Sequence, residues 1–269
     1  MLSVEEVNLI KAVPTQNMGA LEAYFLGKAK RFEGGVSGLQ EAIVFFKRAV
    51  ELDPEYAEAH ALLGRTLLEV TWSASLHREA QMAKAEPHIF KALQLNDLLS
   101  DAHLSLGLLR AWQGDLAAEE QAYQRALELN PRQADVLVML AGVVSQPDEK
   151  EQLLKQAYAV DPGHPDAPFR LANAMRASGK FEECRNHLED FAARNPDNPK
   201  VYASLNGLFF RELGLYDECI IVMRKFIDLE PGAIGNRAYI SSSFDLLGDL
   251  KSGRWWYEGR MKYVTEGEG

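Results

Sequence analysis

Cysteines and long apolar runs are scarce in this chain of 269 residues. Its two cysteines, Cys184 and Cys219, cannot supply a disulfide framework or a multi-cysteine metal site. No apolar run reaches the roughly 18–20 residues that span a bilayer, and the N-terminus lacks the basic and apolar regions of a signal peptide. We therefore expect a cytoplasmic protein that inserts in no membrane. A longer parent, if the sequence is a fragment, would carry its own targeting segment.

Basic residues are in the minority, with 29 lysines and arginines against 39 aspartates and glutamates, and the formal net charge is −10. Acidic surfaces repel phosphate backbones, so we expect no direct contact with nucleic acid. The six histidines include no pair at i,i+4 with a supporting glutamate, and Gly34–Gly38 lacks the strand and lysine of a phosphate-binding loop. The sequence therefore predicts a protein that binds no metal ion or cofactor and catalyses no reaction.

A short phrase recurs along the chain: an apolar residue, an acidic or amide residue, and a proline. From Pro131 the prolines follow at Pro162, Pro196 and Pro231, at steps of 31, 34 and 35 residues. Proline cannot continue a helix but fits the first turn of the next one, so each phrase predicts a helix boundary. The complete copies are Leu52–Pro54, Leu129–Pro131, Val160–Pro162 and Leu229–Pro231; Arg194–Pro196 lacks the apolar residue and Leu95–Asp97 lacks the proline.

Before each phrase lies a helix with a three-part face. A small residue is followed after four positions by a larger apolar residue and after three more by another, which is the spacing of one helical face. Cys184 and Cys219 occupy the small site in successive repeats, which predicts a packing role for both thiols. Glu119 occupies the same site in another repeat, where we expect its stem to pack and its carboxylate to reach water. The faces include Ala42/Phe46/Ala49, Cys184/Leu188/Phe191 and Cys219/Met223/Phe226.

The first helix of each of these repeats carries a recurring pair of adjacent residues. The second member of each pair is glycine or alanine. Glycine in a helix costs roughly 1 kcal/mol relative to alanine, so close approach of a neighbouring helix is the expected reason for it. A turn such as Gly114–Leu116 or Gly179–Phe181 then links the two helices, and its glycine suits a left-handed cap. The pairs are Leu26–Gly27, Leu63–Gly64, Leu106–Gly107, Leu140–Ala141, Leu171–Ala172 and Asn206–Gly207.

These phrases, in this order, resemble the tetratricopeptide repeat family over nearly the whole chain. The resemblance implies an all-α, right-handed superhelical solenoid of about seven helix–turn–helix repeats. We expect residues 1–16 to form a lead-in segment and residues 17–269 the solenoid, with residues 232–269 as its cap. Pro14–Thr15 and Ala20–Gly27 further resemble the C-terminal repeat region of bacterial winged-helix regulators and nucleotide cyclases.

The register is irregular in three places. Extra residues in the first two repeats predict long turns at Glu33–Gly38 and around Thr71–His77, whereas the fourth repeat is short at Val144–Pro147. One hypothesis places an active site in the second of these turns, at Trp72, Ser75 and His77. A serine and a histidine two residues apart do not make a catalytic triad without further geometry, so we do not favour it.

In the tetratricopeptide family the first helix of each repeat lines an inner, concave surface. The resemblance therefore implies a non-catalytic scaffold that binds a peptide or a helix in this groove, with homo-oligomerisation left open. The alternative is a regulatory or sensory module of a larger bacterial signalling protein. The lysine-and-asparagine clamp of some members is not carried over, because the lysines are missing. The inward positions, apolar in the middle and basic later, include Arg65, Leu104, Leu108, Trp112, Val138, Phe169, Asn173, Arg176, Ser204, Leu208 and Arg211.

Overall fold

The computed structural model describes residues 15–74, 78–232, 237–256 and 258, and within these ranges the chain is helical with no β-strand. Residues 250–256 are helical after the last bounded helix. In chain order the helices are α1 (Met18–Glu33), α2 (Gly35–Leu52), α3 (Ala57–Ala74), α4 (Arg78–Leu95), α5 (Ser100–Gln113), α6 (Leu116–Leu129), α7 (Ala134–Val143), α8 (Pro147–Val160), α9 (Ala167–Ala177), α10 (Phe181–Arg194), α11 (Pro199–Leu208), α12 (Tyr216–Leu229) and α13 (Arg237–Leu246).

The helices follow the predicted repeats. Six repeats are the successive pairs from α1/α2 to α11/α12, and α13 opens the seventh. A π-helical turn, Phe209–Leu213, extends α11. This order confirms the all-α, repeated helix–turn–helix class. None of the helices in the described ranges combines the length and apolarity that crossing a membrane requires.

The chain divides into two compact units, Met1–Val144 and Ser145–Gly269, hereafter the N-terminal and C-terminal units. The division falls in the short turn between α7 and α8, inside the fourth repeat. Each unit has its own set of buried side chains, and each is described by itself below.

At three of the inter-repeat prolines, the residue before the proline bonds to the backbone two residues on, which explains why the phrase recurs there. The carboxylate of Asp53 accepts the N–H of Glu55 at 3.0 Å, and that of Asp161 accepts the N–H of Gly163 at 3.0 Å. Asn96 makes the same bond to the N–H of Leu98, although no proline follows it. Aspartate and asparagine side chains stabilise turns by bonding to their own backbone two residues on. The boundary therefore depends on this side chain as well as on proline.

The turns within repeats confirm the predicted glycines but correct the two long turns. Gly114, Gly179, Gly214 and Gly248 all have φ between 66° and 83°, a left-handed conformation that suits glycine. The turn predicted at Glu33–Gly38 is present but short, because α1 runs to Glu33 and α2 begins at Gly35, which leaves Gly34 as the link. In the second repeat α3 continues to Ala74, so the extra residues lengthen the helices; residues 75–77 lie outside the described ranges.

In the N-terminal unit the tiny residues allow the helices of a hairpin to approach closely. A Cβ atom on Gly27 would lie 2.6 Å from the ring of Phe46, which is fully buried. One on Gly107 would lie 2.2 Å from the ring of Tyr123. Contacts this short are forbidden in a packed interior, so close packing is confirmed as the reason for glycine at these sites. Glu119 is more enclosed than expected, with 8% of its surface exposed, and burial raises its pKa.

In the C-terminal unit the two cysteines are core residues, as the register predicts. Both have no exposed surface, and the thiol of Cys184 donates to the carbonyl of Ala172 at 3.4 Å. Burial raises the pKa of both thiols to about 11. At neutral pH the thiols are therefore protonated, which removes the nucleophilic form.

A histidine pair in the N-terminal unit joins α3 to α4. His60 Nε2 donates to the carbonyl of Pro54 at 3.2 Å, so His60 Nδ1 is left to accept from Nδ1 of His88 at 2.9 Å. Burial and the neighbouring His60 and Lys47 lower the pKa of His88 to about 4. Burial, with Lys91 nearby, also lowers the pKa of His60, although the carbonyl of Pro54 and Asp53 oppose the shift. Folded His88 is therefore neutral near pH 6, and burial favours the neutral form of His60 as well.

This pair predicts an acid-sensitive N-terminal unit. Protonation favours the unfolded chain, whose histidines keep a pKa near 6.5, so stability is full above that pH and falls as the pH approaches about 4. Linkage with these pKa values gives about 2 kcal/mol between pH 7.5 and pH 5, and because His88 is only half-buried, solvent screening reduces the expected drop in the free energy of unfolding to about 1 kcal/mol. Urea unfolding at the two pH values measures the drop. His88→Asn keeps a donor toward His60 and should remove most of the drop; an equal drop in the variant would rule out this source.

Candidate partner-binding surface

A cavity of about 490 Å³ lies on the first-helix side of the N-terminal unit. Its lining comes from α1, α3, α5 and the start of α7, the first helices of four consecutive repeats. Charged side chains of both signs dominate it, and one wall carries an aromatic ring. The side chains used below are Lys28, Arg31, Phe32, Arg65, Asp101 and Asp135.

Arg65 forms the floor of this cavity and is 4% exposed. Its Nε donates to Glu69 at 2.7 Å and its Nη2 pairs with Asp135 at 2.8 Å. Arg31 holds the same Glu69 through two bonds, at 2.9 and 2.6 Å. Burial alone would raise the pKa of Glu69, but Arg65 and Arg31 outweigh it and hold that pKa below its usual range. This network joins α1, α3 and α7.

A partner could not reach the buried ion-pair network. It could reach other residues that line the same cavity. The ring of Phe32 is 94% exposed, and Lys28 is exposed beside it. Asp101 is half-buried and accepts a hydrogen bond from Gln133 at 2.5 Å. The rim therefore presents an aromatic ring and a lysine above an acidic wall.

A second cavity, of about 330 Å³, lies within the C-terminal unit. It brings together three predicted inward residues, Arg176, Ser204 and Arg211, with Asn206 and Tyr239. Arg211 is exposed and Ser204 is half-buried. Arg211 belongs to the π-helical turn that ends α11. Such turns are frequent at functional sites because they re-aim the side chains they carry.

Two polar atoms at this second cavity have no hydrogen-bond partner among the residues that the structure describes. They are the Oδ1 atom of Asn206, a residue only 3% exposed, and the Nε atom of Arg176. Arg176 uses Nη2 instead, which donates to Glu212 at 2.8 Å. An unmade hydrogen bond on a buried polar atom costs roughly 1–3 kcal/mol, so most buried groups are paired. The C-terminal unit therefore holds unused bonding capacity at this position.

The structure corrects the predicted apolar middle of the groove. Leu104, Leu108, Val138 and Leu208 are at most 2% exposed and belong to the core. For Leu104 and Leu108 the reason is that α5 packs against α3, α4 and α6, so its apolar face is covered on several sides. A partner cannot touch these four side chains in the folded protein.

The aromatic positions are also used in packing. Trp112 is half-buried, and the guanidinium of Arg78 lies 4.8 Å from the centre of its ring. Phe169 is half-buried and meets Phe191 edge to face, with ring centres 5.4 Å apart. Asn173 is exposed but is absent from the lining of the second cavity.

The described residues give no support to the hypothesis of an active site in the second repeat. Ser75, His77 and the side chain of Trp72 lie outside the described residues. Among the residues that are described, no group of three or more histidine, cysteine, aspartate or glutamate side chains is placed to hold a metal ion.

Sequence reasoning missed Asn206, Tyr239, Lys28 and Phe32 as cavity residues. A signal for Asn206 existed, because five other repeats carry leucine where it stands, as in Leu106–Gly107. A polar residue at a core site is the kind of exception that points to a site.

The comparisons with known proteins agree with this architecture. Residues 145–206 match the family model described as Tetratricopeptide repeat. This match covers under a quarter of the chain, and the helix–turn–helix repeats described above are the fold of that family. A co-chaperone from Fusarium oxysporum f. sp. lycopersici, named for its tetratricopeptide repeats and J domain, is 26% identical over 224 residues, which are 79% of this chain and 34% of that protein. Cell division cycle protein 27 homolog B from Arabidopsis thaliana is 23% identical over 199 residues, 72% of this chain and 25% of that protein. The chain thus spans about a third or less of these curated relatives.

Solved structures share the fold. PilF from Pseudomonas aeruginosa superposes with a TM-score of 0.61 at 18% identity, over 76% of this chain and 89% of that one. A thermophilic tetratricopeptide protein from Thermus thermophilus gives 0.58 at 18% identity, over 71% and 99%. YrrB, described as a tetratricopeptide protein with an unusual peptide-binding site, gives 0.50 at 17% identity, over 71% and 95%. Tetratricopeptide-type scaffolds of this kind are typical of protein–protein interaction.

Proposed function

We propose that this tetratricopeptide-type protein is a non-catalytic scaffold that binds a segment of another protein, as an extended peptide or a helix, through its first helices. The observation that carries the proposal is the C-terminal cavity, where Arg176, Ser204 and Arg211 converge. Clefts with a few convergent polar groups are the usual form of a binding site. The resemblance to signalling regulators and cyclases stays a prediction.

The surface chemistry supports a polar partner segment rather than an apolar helix. The predicted apolar middle is core, whereas the exposed side chains that line the two cavities are mostly charged or polar, with Phe32 as the exposed ring. The peptide-binding site described for YrrB, a protein of this fold, is consistent with a peptide ligand. We place the contact residues at Arg176, Ser204 and Arg211.

Selection of peptides from a phage library of random linear sequences tests the proposal. We expect enriched peptides to bind the full chain and to lose about tenfold or more in affinity on Arg211→Glu, because an exposed contact residue reverses its charge. Fluorescence polarisation with the enriched peptides measures the affinity.

Lys225→Glu is the matched control. Lys225 is also exposed and belongs to the same unit, but it lies on α12, a second helix. The control makes the same change of charge and should leave affinity within about twofold, since remote surface charges act weakly. Equal losses in both variants would show only a general charge effect, and a selection without enrichment would count directly against a peptide scaffold.

A further inference from the structure

The two unpartnered atoms of the C-terminal cavity are a donor and an acceptor. Arg176 Nε has a hydrogen to give, and Asn206 Oδ1 has lone pairs to share. An anion alone would leave the Asn206 oxygen unpaired, and an apolar side chain would leave both atoms unpaired. A ligand that completes the site must therefore offer an acceptor and an N–H donor close together, and a guanidinium bonds most strongly when that acceptor is negative.

A neighbouring side chain already mimics half of that ligand. Glu212 places its carboxylate on Arg176 Nη2 at 2.8 Å, and both side chains are partly exposed, 22% for Arg176 and 30% for Glu212. Arg211, next to Glu212 in the π-helical turn, lines the same cavity and adds a second guanidinium. Guanidinium groups form their strongest hydrogen bonds with carboxylates.

We propose that this cavity receives an internal aspartate or glutamate residue of the bound segment. The ligand's side-chain carboxylate bonds to Arg176 and Arg211, displacing Glu212, and the main-chain N–H of the same residue donates to Asn206 Oδ1. The proposal rests on the proposed function and specifies what the scaffold recognises. An internal acidic residue fits better than a free C-terminal carboxylate. Its carboxylate belongs to the side chain, so the main chain of the ligand can continue along α11.

The position of Asn206 supports a role in binding rather than in packing. Asn206 stands where Leu26, Leu63 and Leu106 stand in other repeats, yet it is as buried as a core residue. Its neighbour Gly207 would place a Cβ atom 3.6 Å from Arg176 Nη1, so the guanidinium crosses directly over this part of α11. A leucine at this site would fill the core without the unpaired oxygen.

Titration of the full chain with single-residue probes tests the proposal. The probes are N-acetyl-glutamate N′-methylamide, its neutral glutamine analogue, and N-acetyl-glutamine with a free α-carboxylate. NMR signals of the Asn206 side-chain amide and of Arg176 Nε–H report on the cavity. We expect the glutamate probe to shift both signals and the neutral probe to shift neither. The free α-carboxylate probe should bind about tenfold more weakly than the glutamate probe.

Two variants carry opposite expectations. Asn206→Leu, which restores the residue of the other repeats, should weaken the glutamate probe by about tenfold and raise the melting temperature, because it removes a buried unpaired oxygen. Glu212→Gln should tighten the probe several-fold by removing the internal competitor. Unchanged affinity in Asn206→Leu, or a loss in Glu212→Gln, overturns the proposed geometry.

The remaining outcomes are also decisive. Equal shifts by the glutamate and glutamine probes would overturn recognition of charge, and preference for the free α-carboxylate would overturn an internal residue as the ligand. If none of the three probes shifts the NMR signals, an acidic ligand is overturned, and the peptide selection then tests the scaffold function separately. If the glutamate probe binds but the selection yields no peptide, recognition of an acidic group by the cavity stands and the proposed scaffold function is overturned.

Discussion

Replacing Gly107 by alanine is expected to lower the free energy of unfolding of the N-terminal unit by about 2 kcal/mol. The new Cβ atom would meet the ring of Tyr123 at 2.2 Å, and that ring is 1% exposed and has no free space to enter. Overpacking of this kind costs about 1–3 kcal/mol or more, and better helix propensity returns only about 1 kcal/mol. Urea unfolding measures the loss, and hydrogen exchange should place it in α5 and α6.

Gly207→Ala is the matched control, because Gly207 follows the same register in the sixth repeat. Its Cβ atom would find Arg176 Nη1 at 3.6 Å, an ordinary contact. The helix propensity gain of about 0.5–1 kcal/mol should therefore appear, and the C-terminal unit should become slightly more stable. If both variants changed stability equally and in the same direction, close packing would not explain Gly107.

The helix boundaries could be predicted because they depend on local chemistry. Asp53 and Asn130 precede proline and fix the turn with their own side chains, whatever the neighbouring repeats do. The buried faces could be predicted for a similar reason, since Ala42 and Phe46 lie on one helical face by spacing alone. The long turns failed, because the extra residues of the second repeat could extend either the helices or the loop.

The surface could not be predicted from one repeat, because exposure depends on neighbours. Leu104 and Ser204 are both inward by register, yet the leucine is fully buried and the serine is half-buried. Helix α5 has helices packed on several sides, and no pattern within α5 records that. The cavities have the same origin, since Lys28, Arg65 and Asp135 come from three repeats and meet only in the folded unit.

Arg65→Met is expected to cost the N-terminal unit about 3 kcal/mol. Removal of one member of a buried ion pair leaves the others without compensation, which typically costs about 3–5 kcal/mol. Glu69 retains Arg31, and Asp135 is 35% exposed, so the lower end of this range applies. Lys28→Met is the control at the same cavity: Lys28 is exposed, and its loss should change stability by less than about 0.5 kcal/mol.

The pH dependence of this loss identifies its source. The folded pKa of Glu69 lies below its usual range, so its stabilisation is complete above the pKa of an unfolded glutamate, about 4.3, and disappears as the pH falls through the folded value. The difference between the wild type and Arg65→Met should therefore shrink on acidification. A difference that stayed constant down to pH 3 would assign the effect to packing of the arginine stem.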